Sequence, residues 1–194
     1  MKKIYVLLLL VVLLLITACA NKTTSESTSE NKNVFEYNSS IEEDAKNGNS
    51  IEYFTNKNYY INYLSQEYNI DYLKTFLDYV ENKKPITFRF VSIYGETNSL
   101  HYYPYEVKYD GDTFEVASFE VYETVFRKYN YLVYDTYTLN GSNSYIHVLT
   151  NVIDYNYSEY MQMGFSSSLS DKTERYYKMM ASTMIRYQKT DINY

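Results

Sequence analysis

The chain has 194 residues, 45% of them hydrophobic, enough for one domain of ordinary size and too apolar for a wholly disordered protein. With 5 Gly, 2 Pro, 2 His, 1 Cys and no Trp, it lacks an internal disulfide and a four-ligand Cys/His zinc site, and no cofactor is expected. A net charge of −6 and scattered arginines (Arg89, Arg127, Arg175, Arg186) argue against nucleic acid, whose phosphates are held by clustered Lys and Arg.

At the start of the chain, Met1-Lys2-Lys3 is a short basic stretch and Ile4 to Ile16 an apolar block. Ile16-Thr17-Ala18-Cys19 then places small residues directly before the thiol. The pattern resembles the leader and lipobox of bacterial lipoproteins. The resemblance implies that Cys19 receives a diacylglyceryl group through a thioether and that a signal peptidase cuts between Ala18 and Cys19. Residues 1–18 are then a signal peptide, and the mature chain faces outside the cytoplasm because Lys2 and Lys3 stay inside. An acidic domain is repelled by anionic headgroups, so the expected membrane contact is the lipid itself, with about 0.8 kcal/mol for each buried methylene. Ile4 to Ala20 falls short of the ~20 apolar residues that an uncleaved spanning helix needs.

Residues 19–49 read as the lipidated cysteine followed by a polar tether, with an r.m.s. reach of roughly 25–30 Å. Within it, Ser40 can cap a short helix over Ile41 to Lys46. A single domain is expected over 50–194. Ile70, Leu73, Phe76, Leu77 and Val80 recur at helical spacing, which predicts a helix from Asn69 to Asn82 with Asn69 as its cap. Ile86–Tyr94, Leu100–Tyr109 and Thr113–Val121 alternate as strands do, and Asp110-Gly111 is a hairpin signal.

A two-residue turn at Asp110-Gly111 sets Val107 against Phe114 and Tyr105 against Val116. A four-residue turn at 95–98 sets Phe88 against Tyr105 and Phe90 against Tyr103, which collects an apolar face for the helix. Pro104 has no ladder donor, so a bulge or broken pairing is expected there. Tyr129–Leu139 and Tyr145–Asn151 suggest a further hairpin across 140–143. Ser170 opens a C-terminal helix to about Tyr187, with Tyr176, Tyr177, Met180, Met184 and Tyr187 on one stripe. The order of elements predicts an α+β fold, a largely antiparallel sheet with packed helices.

Lys46-Asn47-Gly48, the run Glu67 to Phe76, Ile86-Thr87-Phe88-Arg89-Phe90-Val91 and Tyr109-Asp110-Gly111 together resemble a small domain family of unknown function, found in secreted lipoproteins of low-GC Gram-positive bacteria. The resemblance implies one helix followed by a strand carrying Arg-x-Val before a hairpin, and no chemistry. The chain departs from that pattern near Gly95-Glu96, where a Gly-Asp step is missing, and residues 51–66 look inserted.

Catalytic constellations are sparse. His147 shares a strand face with Tyr145 and Leu149 and reads as a half-buried strand histidine, and His101 has no partner. Asp110-Gly111-Asp112 lacks the oxygens of a calcium loop. Glu106, Glu115, Glu120 and Glu123 fall on or beside strands and leave a two-carboxylate envelope hydrolase as an alternative. The 27 tyrosines are the feature suited to recognition, with Tyr102, Tyr103, Tyr129 and Tyr131 the expected binding surface. The expectation is a non-catalytic lipoprotein binding an envelope protein or cell-wall glycan, a small solute-binding lipoprotein being a further alternative.

Overall fold

The computed structural model describes residues 35–64, 66–95, 99–139, 142–165 and 174–187. Ala18 and Cys19 lie outside the described residues, as does Ser170. Two short helices open the fold, α1 (Ile41–Asn47) and α2 (Ile51–Thr55). Each begins at a serine whose hydroxyl accepts a free backbone N–H, Ser40 from Glu43 and Ser50 from Tyr53. There follow β1 (Tyr60–Tyr63), β2 (Gln66–Tyr68), α3 (Ile70–Glu81), β3 (Ile86–Tyr94), β4 (His101–Tyr109), β5 (Phe114–Glu120) and β6 (Glu123–Tyr129). The last described elements are β7 (Tyr131–Leu139), β8 (Ser142–Thr150), α4 (Tyr157–Phe165), α5 (Glu174–Met180) and β9 (Thr183–Tyr187).

The strands form a six-stranded sheet in the order β2-β1-β3-β4-β5-β6 and a three-stranded sheet β7-β8-β9. Every pairing is antiparallel except that of β1 with β3. The fold is α+β, as the order of elements predicts. Alternation along β3 serves both faces of the large sheet. Phe88 and Phe90 point to α3 and the small sheet, with Phe76 stacked on Phe88 at 4.6 Å and Tyr105 on Phe90 at 4.7 Å. On the other face, Val91 packs with Ile41, Phe54, Tyr59 and Ile61 beneath α1 and α2. Leu149, Ile185 and Tyr187 join the small sheet to the first core, while Ile146, Val148 and Met179 pack with α4 and α5 on its other side.

Several expectations are corrected. Residues 35–49 are part of the folded unit, because Phe35 lies in the main core and Asp44 is fully buried. Their polar composition conceals this, since the buried carboxylate is satisfied by side chains far along the chain. The C-terminal helix stops at Met180, and Thr183–Tyr187 is a strand on β8. Thr183, Ile185 and Tyr187 alternate inward, a period of two that overrides the helical spacing of Met184 and Tyr187. Residues 51–66 supply α2, β1 and the start of the β1–β2 hairpin.

Asn69 stands before α3 at φ 56°, but its side-chain amide donates to the carbonyls of Thr55 and Tyr59 instead of capping the helix. Pairing of β3 with β4 runs unbroken through Pro104, whereas the β4–β5 ladder begins only at Tyr105, so the missing donor interrupts one side of the strand.

The register of the meander differs from expectation by two residues: Tyr109 opposes Phe114, Val107 opposes Val116, and Phe88 opposes Val107. The cause is Asp110, whose carboxylate accepts the N–H groups of Asp112 and Thr113, moving the turn onto Gly111-Asp112 with Gly111 at φ +106°. A shift of two keeps every side chain on its face. β6 follows a hairpin turn at Val121-Tyr122, both at positive φ (51° and 115°), with none of the Gly or Asn that marks such a turn.

Candidate functional site: a tyrosine-lined cleft

The β5–β6 hairpin carries Ser118, Glu120 and Arg127 on the same sheet face as Phe90 and Tyr105. Arg127 forks onto Glu120 with Nη1–Oε1 at 2.7 Å and Nη2–Oε2 at 2.9 Å, and Ser118 Oγ donates to the same carboxylate at 2.8 Å. Hydrogen bonds from Arg127 are the main cause holding the Glu120 carboxyl below its ordinary range. The opposite wall is β9 with the two residues before it. Two tyrosine hydroxyls tie it to the large sheet: Tyr129 donates to the Ala181 carbonyl at 2.7 Å, and the single O–H of Tyr60 is shared between the Glu67 carboxylate at 2.6 Å and the Arg186 carbonyl at 2.9 Å. Tyr157 and Tyr160 of α4 complete the enclosure.

The result is a cleft of about 540 Å³, within the size range of small-molecule sites. Burial pushes the Tyr105 hydroxyl up to about 12 and raises those of Tyr157 and Tyr160, so these groups are neutral hydrogen-bonding hydroxyls at neutral pH. A second concavity of about 940 Å³, lined by Tyr134, Tyr137 and Phe165, adjoins the first, and Arg186, Tyr157 and Met161 border both spaces.

The four tyrosines expected to form a binding surface are divided. Tyr103 is 44% exposed and meets Tyr94 edge-on at 5.6 Å, and Tyr94 lies on the cleft lining. Tyr129 is 3% exposed and belongs to the interior, reaching the cleft only as part of its wall. Tyr102 points to the opposite face and stacks on Phe54 at 5.5 Å. Tyr131 is partly exposed at the start of β7, in the small sheet. Glu120 was named only as one of four strand carboxylates, and its grouping with Arg127 and Arg186 was not foreseen from the sequence. The first two meet across a turn without turn residues, and the third requires β9, which the sequence presents as helix.

The acids and histidines fall elsewhere. Glu106 pairs with Arg89 on the opposite face at 2.6 Å, leaving Glu120 as the carboxylate of the described cleft lining. His147 is 3% exposed, its ring stacked on Tyr187 at 5.1 Å, and burial lowers its pKa to about 4. His101 is exposed at the start of β4. Among the described residues no three His, Cys, Asp or Glu side chains group to hold a metal ion.

The deepest charges form a clamp rather than an open site. Asp44 accepts from Ser39, Tyr53, Tyr59, Lys57 (2.6 Å) and Arg89 (3.2 Å), while Arg89 also donates to Glu106 and to the Ser39 carbonyl. Burial alone would raise the Asp44 pKa, but the hydrogen bonds of Lys57, Ser39, Tyr59 and Tyr53 outweigh it and hold the carboxyl below its usual range. Both Asp44 oxygens are satisfied and its side chain has no solvent exposure, so its work is to fasten α1 and α2 to the sheet. Comparison with protein-family models, curated proteins and solved structures gives no match to this chain.

Proposed function

We propose that the chain is a membrane-anchored extracytoplasmic lipoprotein that binds an envelope ligand, without catalysis, in the tyrosine-lined cleft. The observation that carries the reading is the cleft itself: tyrosine rings and hydroxyls line it, and its carboxylate is held by an arginine fork instead of standing free as an acid or base. Anchoring rests on the leader pattern and Cys19. No helix among the described residues is long and apolar enough to cross a membrane. A two-acid hydrolase needs a second carboxylate facing Glu120, and the described lining does not supply one. The volume of the cleft also favours a second reading, a small solute-binding lipoprotein, which differs in taking a small solute instead of a polymer.

Two measurements test the proposal. Cys19→Ser should leave an unprocessed or released protein, and unchanged membrane processing would refute the anchor. Full-length protein in nanodiscs, titrated with a Gram-positive wall-glycan fraction and followed by tyrosine fluorescence, should bind. Tyr94→Ala/Tyr103→Ala should weaken that binding about tenfold, since each aromatic contact is worth ~0.5–1.5 kcal/mol. Unaltered binding by this variant excludes the cleft, and binding of a monosaccharide as tightly as the polymer favours the solute reading.

A further inference from the structure

Within the cleft the two arginines differ. Arg127 is neutralised by Glu120, whereas Arg186 has no carboxylate at ion-pairing distance among the described residues. Asp135 lies on the same face of the small sheet, across Ile146 from Arg186, but it gives its two oxygens to the N–H groups of Thr136 and Tyr157. The field of Arg186 reaches Tyr155, Tyr157 and Tyr160, where it opposes the rise that burial causes, and at Tyr155 the Asp135 carboxylate acts in the opposite sense. Its side chain borders both the cleft and the neighbouring concavity. A guanidinium without a salt bridge among the described residues, at the junction of two concavities, keeps its paired N–H donors for a negative group of a ligand.

Resting on the cleft reading above, we infer that the two concavities together hold an elongated saccharide bearing an anionic group, carboxylate or phosphate, seated on Arg186. The rim rings of Tyr94 and Tyr103 offer flat apolar faces to sugar rings. Asn62, Ser92, Ser182 and the Glu120–Arg127 fork offer donors and acceptors for hydroxyls. A peptide added as a strand is disfavoured, because the Ala181 carbonyl is already occupied by the hydroxyl of Tyr129 and the Arg186 carbonyl shares that of Tyr60 with Glu67. The guanidinium fits carboxylate and phosphate alike through paired N–H donors.

The test uses the detergent-solubilised full chain and three probes of similar length: a galacturonic acid hexamer, a phosphate-bearing sugar oligomer and a neutral glucose hexamer. At least one anionic probe should bind roughly ten- to a hundredfold more tightly than the neutral one, as a charged hydrogen-bond partner allows. Arg186→Gln should bring that probe down to the neutral level and leave the neutral probe unmoved. The Tyr60 contact uses the backbone carbonyl and survives the substitution, and an unchanged circular dichroism spectrum checks the fold. Which anionic probe binds distinguishes carboxylate from phosphate. Equal binding of neutral and anionic probes, or an Arg186→Gln variant indistinguishable from wild type, overturns the inference. If no probe binds while the wall-glycan fraction still does so through Tyr94 and Tyr103, the anionic-saccharide assignment falls and the cleft reading stands. If the wall fraction also fails to bind, the cleft reading falls.

Discussion

Replacing Asp44 by asparagine removes one negative charge from a site with no exposure and leaves its donors in place. Arg89 keeps Glu106 at 2.6 Å, so its charge is not orphaned, but its Nη1 and the donors of Lys57, Tyr53 and Tyr59 face an amide that accepts at one atom instead of two. Breaking a buried pair costs about 3–5 kcal/mol, and the surviving Glu106 contact places this one near the lower end, about 3 kcal/mol. For a domain of this size each kcal/mol moves Tm by roughly 2–4 °C, so a fall of about 6–12 °C is expected, with a lower urea midpoint at unchanged slope.

The wild-type contribution also has a defined pH sense. The folded pKa of Asp44 is depressed, so its stabilisation is present above the unfolded carboxyl value of about 3.9 and is lost as pH falls toward the folded value. Thermal and urea unfolding at pH 7 read the effect. An Asp44→Asn variant within 1 kcal/mol of wild type would show that the clamp contributes little and that α1 is held by apolar packing alone.

Two other changes have expected outcomes. His147 is buried with its pKa lowered to about 4, so the unfolded chain binds the extra proton: stability is present above about pH 6.5 and is lost on acidification toward 4, amounting to about 2 kcal/mol between pH 7.5 and 5. His147→Phe should flatten urea midpoints across that window, and an unchanged slope would assign it to other groups. At the β5–β6 turn, Val121 and Tyr122 sit at positive φ while 85% and 91% exposed, so Val121→Asn/Tyr122→Gly should relieve about 1–2 kcal/mol of backbone strain and raise Tm. A lower Tm for that variant would mean that the side chains support the turn.

What was legible follows from the range of the forces involved. Helix α3 and strands β3 to β5 are set by local period, and their bounds agree with the pattern of Ile70 to Val80 and Ile86 to Val121. The meander's pairing depended on where one carboxylate placed the turn, and Asp110 prefers to accept backbone N–H groups beside Gly111 over standing inside the turn. The C-terminal stripe was ambiguous because Tyr176 and Met180 suit a helix while Thr183, Ile185 and Tyr187 suit a strand, and only pairing with β8 decides between them. Residues 35–49 looked too polar to fold because the donors that satisfy Asp44 come from Tyr53, Lys57, Tyr59 and Arg89.

The cleft was hidden for a related reason. β1, β3, β4 and β5 supply much of its lining, but it is closed by β6, α4 and β9, the elements with the weakest local signals. Tyrosine makes this arrangement possible in a way phenylalanine could not. Tyr60 and Tyr129 bury their rings in the main core and extend their hydroxyls to polar groups of other elements, Tyr129 to the Ala181 carbonyl and Tyr60 to the Glu67 carboxylate and the Arg186 carbonyl. Leaving such a carbonyl unsatisfied costs about 1–3 kcal/mol. Tyr59 does the same on the other face, with its ring beside Phe54 and its hydroxyl on Asp44. Much of the tyrosine surplus is therefore core that also carries hydrogen bonds between layers. Under the binding role proposed above, recognition falls to the smaller group at the cleft and its rim, where Tyr94 meets Tyr103 edge-on in a structure that the buried tyrosines tie together.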